Sequence, residues 1–287
     1  MFAGNYKVFD GILIASISIV KHCKEPINVY ILTMDLSEQN PDFLPLSESN
    51  IACLQRVYEE GNSNSRVIPV DVKDVYLKEL GMSPNKESLY TPYALLRLLA
   101  DKVDIIPDKV LYLDADIVAN GDISELYNHD ISKYEIAGVR DYYGKIFFYP
   151  RYLNSGVLLM NMKKIRETKM LSKALKLCNS KKVFLPDQTA INKYAKKKKI
   201  LSSRFNEQKN MNKNTVIRHF SMTLQFFPKF KKINIKPWHI DDVHNILKIY
   251  DFDDTYLKYK EIMAEERLKQ LESLSVESEP LDKKGYI

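Results

Sequence analysis

The run Lys109-Val110-Leu111-Tyr112-Leu113 constrains this chain most. Side chains on a strand point alternately to its two faces, so an unbroken apolar run needs cover on both. That is the mark of a central strand in a parallel sheet with helices on either side. The upstream sequence supplies the partners. Gly11 to His22 reads as a helix apolar nearly all round, and Ile27 to Met34 as a strand bounded by Pro26 and Asp35. Ser47 to Glu60 is an amphipathic helix with Ser47 as N-cap and Gly61 just past its end. Val67 to Val72 is a second strand, and Tyr93 to Lys102 a helix leading into the apolar run. Alternating strands and helices predict an α/β fold with a Rossmann-like, mostly parallel central sheet flanked by helices.

The second half is less regular. Ile136 to Val139 and Val157 to Met160 read as strands, and Lys169 to Asn179 and Asp187 to Ala195 as helices. Asn206 to Trp238 reads as loop, and the basic run Lys196 to Lys199 as a solvated helix end. Thr255 to Leu274 is an amphipathic terminal helix, followed by a frayed tail from Glu277. No Pro-, Gly- or Ser-rich linker divides the chain, so 1–250 is expected as one domain and 251–287 as a C-terminal helical extension.

Composition excludes several classes. With 45% apolar residues in 287, a sizeable core is within reach; nine glycines and no recurring unit exclude collagen-like and solenoid folds. The net charge of +6 is mild, and no basic recognition helix or aromatic stripe argues for nucleic acid. Cys23, Cys53 and Cys178 lie far apart, which argues against a disulfide framework or zinc site and for reduced thiols in the cytoplasm. The apolar run Gly11 to Val20 falls short of the ~20 residues that span a bilayer.

Directly after the apolar run come Asp114-Ala115-Asp116. Paired carboxylates at the C-terminal end of a central strand lie where open α/β sheets bind ligands. Together they suit a hard divalent cation, Mg²⁺ or Mn²⁺, with positions left for phosphate oxygens. Other motifs follow in order: Arg97 in YALLRLLAD, Asp141 in AGVRD, Asn154-Ser155-Gly156 in YLNSGVLLMN, Asp187-Gln188 in LPDQTAIN, then His219 and Lys236-Pro237-Trp238-His239. In this order they resemble glycosyltransferase family 8, the retaining family of bacterial lipopolysaccharide galactosyltransferases and glycogenin, over about residues 3 to 240.

The resemblance implies a GT-A fold, with 1–120 as the nucleotide-binding half and 121–250 as the sugar and acceptor half. It also implies a UDP-sugar donor, glucose or galactose, and transfer with retention to a glycan or lipid-linked acceptor. Asp114, Asp116 and His219 would hold the cation, and Lys236 would add charge at the diphosphate. Arg97, Asp141, Asn154, Ser155, Gly156, Asp187 and Gln188 would surround the sugar. Gln188 would stabilise the oxocarbenium-like state during front-face attack; a covalent intermediate on a nearby carboxylate is the alternative. Ala3, Asn5 and Tyr6 would form the base-binding loop, with Tyr6 stacking on the uracil, and Ala115 would line the donor.

This chain also departs from the family. Ala3 and Gly4 stand where an acidic residue is common, the strand before them is short, and the spacer from His219 to Lys236 lacks glycine and carries Phe226 to Lys232. That stretch suits an acceptor-side lid or peripheral contact with an anionic membrane at the inner face. A Lys-, Asn- and Ile-rich composition suits an AT-rich bacterial genome and surface polysaccharide synthesis. The competing classes are a nucleotide-sugar nucleotidyltransferase, which generally carries a Gly-rich basic loop not seen in Ala3 to Asp10, and a non-catalytic sugar-nucleotide-binding protein.

Overall fold

A computed structural model describes residues 1–86, 91–225 and 229–277. Phe2 and the tail beyond Glu277 mark very different situations: the former lies in the sheet, while residues 278–287, like Phe226, Phe227 and Pro228, lie outside the described residues.

The first half follows the expected alternation. Its elements are β1 (Phe2–Ala3), α1 (Phe9–His22), β2 (Asn28–Thr33), α2 (Glu48–Gly61), β3 (Arg66–Asp71), α3 (Lys73–Leu80), the 3₁₀ segment Pro92–Lys102 and β4 (Lys109–Leu113). Strands β1, β2 and β3 pair in parallel. Met1 donates to the Leu111 carbonyl and accepts from the Leu113 N–H, the slanted pattern of a parallel pair, so β4 continues this array. Ser47 caps α2 through the Asn50 N–H while Asn50 reaches back to the Ser47 N–H. Gly61 is the last residue of this helix, which runs one position past the expected end at Glu60. The helix expected over Tyr93 to Lys102 is present as the 3₁₀ segment Pro92–Lys102.

The second half contains β5 (Ile117–Ala119), α4 (Ser124–Tyr127), β6 (Ile136–Arg140), α5 (Gly144–Phe147), β7 (Leu153–Asn161), α6 (Met162–Thr168), α7 (Met170–Ser180), α8 (Pro186–Tyr194) and β8 (Lys198–Ile200). β9 (Ile217–His219), β10 (Thr223–Gln225), β11 (Lys231–Ile233), α9 (Ile240–Asn245) and α10 (Asp253–Glu277) complete it. The order β4-β7-β6-β8 extends the sheet, with β7 antiparallel to both neighbours and β6 parallel to β8. The sheet is therefore mostly parallel with one reversed strand. The stretch expected as loop, Asn206 to Trp238, holds β9 and the antiparallel β10–β11 hairpin. These strands are three residues long, too short to leave a periodic signal.

Both faces of β4 are covered as its sequence demands. Leu111 and Leu113 pack into the core formed with α1 and α2. Val110 and Tyr112 pack into the core formed with the 3₁₀ segment and α6, α7 and α8. α10 lies on the α1 side, where Lys21 pairs with Asp254 and Arg56 with Glu266. Gly11 has a local reason: a Cβ there would collide with the Ala115 carbonyl and the Trp238 ring, so glycine lets α1 lie under the turn between β4 and β5.

The basic run is not a solvated helix end. α8 stops at Tyr194, the Lys196 and Lys197 N–H groups donate to the Glu135 carboxylate, and Lys198 enters the sheet. Lys198 Nζ is buried and donates to Tyr149 Oη (2.8 Å) and to the carbonyl of Asn192 (3.1 Å). Burial, then the neighbouring Arg151 and Lys196 charges, push the ammonium down to about 8. The lysine is thus penalised when charged in the folded state, and the penalty disappears once the unfolded lysine also deprotonates. Between about pH 8 and the ordinary lysine range, the stability of the wild type should rise relative to Lys198→Met. Denaturant unfolding of both proteins across that window, showing a constant difference, would contradict this environment.

Candidate active site

The two carboxylates leave β4 as it passes into β5, and β5 brings the third group to them. Ile117 pairs with His219 in the antiparallel β5–β9 ladder, and the Phe220 N–H donates to the Asp116 carbonyl at 2.8 Å. His219 Nε2 then lies 3.1 Å from Asp116 Oδ1 and 3.8 Å from Asp114 Oδ2. The three side chains can offer one ligand atom each within 4.8 Å of one another. Their other atoms are already engaged. Asp114 Oδ1 accepts from Arg97 (2.7 Å) and Tyr112 Oη (2.8 Å), and Asp116 Oδ2 pairs with Lys236 Nζ at 2.6 Å. Burial alone would raise the Asp116 carboxyl, but Lys236 and His219 outweigh it and hold it below the usual carboxylate range. Two carboxylate oxygens and an imidazole nitrogen suit Mn²⁺, and suit Mg²⁺ with water in the remaining positions. The residues therefore fit the cation that the sequence implies.

Gly156 is the floor of this cluster. A Cβ on it would fall 2.6 Å from Asp114 Oδ2 and would collide with the His219 ring. Its N–H donates to Asn154 Oδ1 (3.0 Å), and its carbonyl accepts from the Asp114 N–H (2.7 Å).

Beside the cluster, Arg97 joins three elements. Its guanidinium bonds the Ser155 carbonyl of β7 (2.8 Å), pairs with Asp187 of α8 (3.3 Å) as well as Asp114, and stacks on the Tyr112 ring at 4.3 Å. Burial works to lower its affinity for the proton, but Asp114, Tyr112 and Asp187 prevail and keep it charged. Leu185 adopts a left-handed conformation (φ 50°), which turns the chain so that Pro186 opens α8 and Asp187 and Gln188 fall in its first turn. Such a conformation is strained for a branched residue, and it persists beside a constellation of polar groups. Gln188 Oε1 accepts from the Ser155 N–H (2.9 Å), and its Nε2 donates to Asp141 Oδ2 (3.3 Å). Ser155 Oγ donates to Asp187 at 3.0 Å. Asp141 Oδ1 accepts from the Tyr143 and Gly144 N–H groups at the start of α5, and Oδ2 accepts from Asn154 Nδ2 at 2.9 Å.

The structure thus brings together Arg97, Asp114, Asp116, Asp141, Asn154, Ser155, Gly156, Asp187, Gln188, His219 and Lys236. Ala3 lies at the end of β1, next to β4, and Ala115 sits over α1. Asn5 is buried and donates to the Asp42 carbonyl (3.2 Å), while the Tyr6 ring is 39% exposed at the same end of the sheet. Two members escaped the sequence reading. Tyr112 reads as core, and nothing in its surroundings announces a hydroxyl aimed at Asp114. Asn206 lies in the stretch taken as loop, yet it is buried and bonds both Asn154 and His219.

The family model for glycosyl transferase family 8 matches residues 1–242. The chain belongs to that family. A putative glycosyltransferase of Haemophilus influenzae is 26% identical over 219 residues, covering 72% of this chain and 62% of that protein. This chain therefore spans about three-fifths of that relative's length. Among solved structures, the galactosyltransferase LgtC in complex with donor and acceptor sugar analogs is similar (TM-score 0.59, 20% identity, 92% of this chain and 94% of that one). GlyE of Streptococcus pneumoniae is similar too (TM-score 0.61, 20% identity, 100% of this chain and 66% of that one). The family 8 chain has the GT-A fold of these neighbours. Among its described residues, no helix is long and apolar enough to cross a membrane.

Gly156→Ala should leave the fold in place and weaken Mn²⁺ binding at least ~10-fold, because the added methyl occupies space the ligand atoms need. Isothermal titration of Mn²⁺ into both proteins checks this; equal affinities would remove Asp114 and His219 from the cation site.

Proposed function

We propose that this family 8 protein transfers a hexose, glucose or galactose, from a UDP-sugar to a glycan or lipid-linked acceptor with retention of anomeric configuration. The observation that carries the reading is the convergence of Asp114 Oδ2, Asp116 Oδ1 and His219 Nε2 beside the hydrogen-bonded group of Asp141, Asn154, Asp187 and Gln188.

Asp114, Asp116 and His219 would hold Mn²⁺ or Mg²⁺, which would supply Lewis-acid stabilisation of a departing diphosphate. Lys236, on the far side of Asp116, adds a fixed positive charge where negative charge develops. Tyr6 offers an exposed ring to the uracil, with Ala3, Asn5 and Ala115 at the same edge of the sheet. The sugar hydroxyls need partners when buried, and Asp141, Asp187 and Asn154 provide them. Gln188 keeps its carbonyl on the Ser155 N–H and its amide nitrogen toward Asp141, so it lines the reacting face as a neutral dipole. With an amide at that position and Asp187 paired to Arg97, front-face attack by the acceptor hydroxyl is favoured over a covalent intermediate. Phe147 and Phe148 at α5, with Phe184 near Phe148, expose ring surface suited to the sugar faces of an acceptor. Tyr143 ties α5 to the β10–β11 hairpin: its hydroxyl donates to the Leu224 carbonyl and accepts from the Leu224 N–H.

The test is UDP release from UDP-glucose and UDP-galactose, with and without Mn²⁺, for the wild type and Asp116→Ala. Mn²⁺-dependent release is expected from one sugar above the other, with a loss of at least ~10²-fold in the variant. Absence of both UDP release and a thermal shift with UDP plus Mn²⁺ would overturn the donor reading; a shift without release, even with candidate glycan acceptors added, would favour a sugar-nucleotide-binding protein.

A further inference from the structure

One buried side chain connects the cation cluster to the sugar pocket. Asn206 is 1% exposed and follows the 3₁₀ turn Ser203–Phe205. The direction of its amide is fixed by a chain of donors and acceptors that starts at the backbone. The Gly156 N–H can only donate, so the atom of Asn154 that it meets at 3.0 Å is the oxygen Oδ1. Asn154 Nδ2 then donates to Asp141 Oδ2 at 2.9 Å. Asn206 sets its own Nδ2 3.0 Å from Asn154 Oδ1, donor against acceptor. The other end of the amide, Asn206 Oδ1, lies 3.0 Å from His219 Nδ1. An amide oxygen can only accept, so His219 Nδ1 carries a proton. In the neutral imidazole, the lone pair is consequently on Nε2, the atom facing Asp114 and Asp116.

We propose that Asn206 is a positioning residue for the cation site: it sets the His219 tautomer and ring orientation and, through Asn154, ties them to Asp141 in the sugar pocket. This rests on reading the Asp114, Asp116 and His219 cluster as a cation site. A ligating imidazole is held by the partner of its remote N–H, and losing that partner typically costs 10- to 100-fold in metal affinity. An amide does here what a carboxylate cannot. It accepts from the imidazole and donates onward to Asn154, so an acceptor on one side becomes a donor on the other. Asn206→Asp keeps the first bond but sets a carboxylate oxygen against Asn154 Oδ1, whose orientation the Gly156 N–H holds fixed.

The experiment has two arms on the full chain. Free Mn²⁺ is followed by electron paramagnetic resonance during titration of metal-free wild type, Asn206→Ala and Asn206→Asp, with thermal melts confirming that each is folded. Asn206→Ala should bind Mn²⁺ 10- to 100-fold more weakly, and Asn206→Asp should stay within a few-fold of the wild type. The second arm records ¹⁵N spectra of histidine-labelled, metal-free wild type at alkaline pH, with the His219 signals identified by their loss in His219→Gln. Nδ1 protonated and Nε2 bare is expected. Wild-type affinity in a folded Asn206→Ala protein, or a neutral His219 protonated on Nε2, overturns the proposal. Should Asn206→Ala fail to fold, the wild-type spectrum and Asn206→Asp decide it. No Mn²⁺ binding by a wild type whose Nδ1 is protonated overturns the cation reading itself, and so separates that failure from an error about Asn206.

Discussion

The buried guanidinium of Arg97 is the interaction on which the site depends. It is 6% exposed and carries a full charge into the molecule, which is tolerable only because two carboxylates and two carbonyls surround it. Those partners come from four places: Ala94 in its own 3₁₀ segment, Asp114 after β4, Ser155 on β7 and Asp187 on α8. Because Arg97 holds one oxygen of Asp114, the other is left to face His219. Because it holds Asp187, the first turn of α8 lies against β7 and Gln188 reaches the Ser155 N–H. One charge-assisted network thus fixes both the Asp114 oxygen that faces His219 and the position of Gln188 beside Asp141, and removing any member strands the others in a low-dielectric interior.

The reversed strand β7 completes that arrangement. Entering the sheet from the same edge at which β4 leaves it, β7 places Asn154, Ser155 and Gly156 at its beginning, level with Asp114 and Asp116. A strand parallel to β4 would put its first residues at the opposite edge. The fold accordingly uses backbone groups of β7 as fixed partners: the Ser155 carbonyl for Arg97, the Ser155 N–H for Gln188 and the Gly156 carbonyl for the Asp114 N–H.

Much of this was legible in the sequence, and the reasons are local. The two-sided apolar run of β4, the helix of α1 and the cap at Ser47 are written in consecutive residues, and the Asp114, Asp116 pair stands immediately after the strand that presents it. What escaped the sequence reading depends on residues that are distant in sequence. The direction of β7 follows from its pairing with β4 and β6, which apolar content does not encode. β9 has three residues and exists because β5 offers it an edge. Lys198 reads as one of four consecutive lysines, and nothing in that run distinguishes the one that turns inward to Tyr149 and Asn192. Tyr112 and Asn206 are ordinary residues in their own segments and acquire roles through Asp114 and His219.

The β5–β9 ladder has a consequence for how the molecule comes into being. Ile117 and His219 are neighbours in space but are separated by roughly a hundred residues of chain, a closure whose entropy must be met before the pairing is rewarded. Contacts of this range form late and slow the folding of the domains that rely on them. Asp114 and Asp116 are synthesised roughly a hundred residues before the histidine that joins their cluster. The nascent chain therefore carries an acidic turn without its imidazole, and the three groups come together only when β9 pairs with β5.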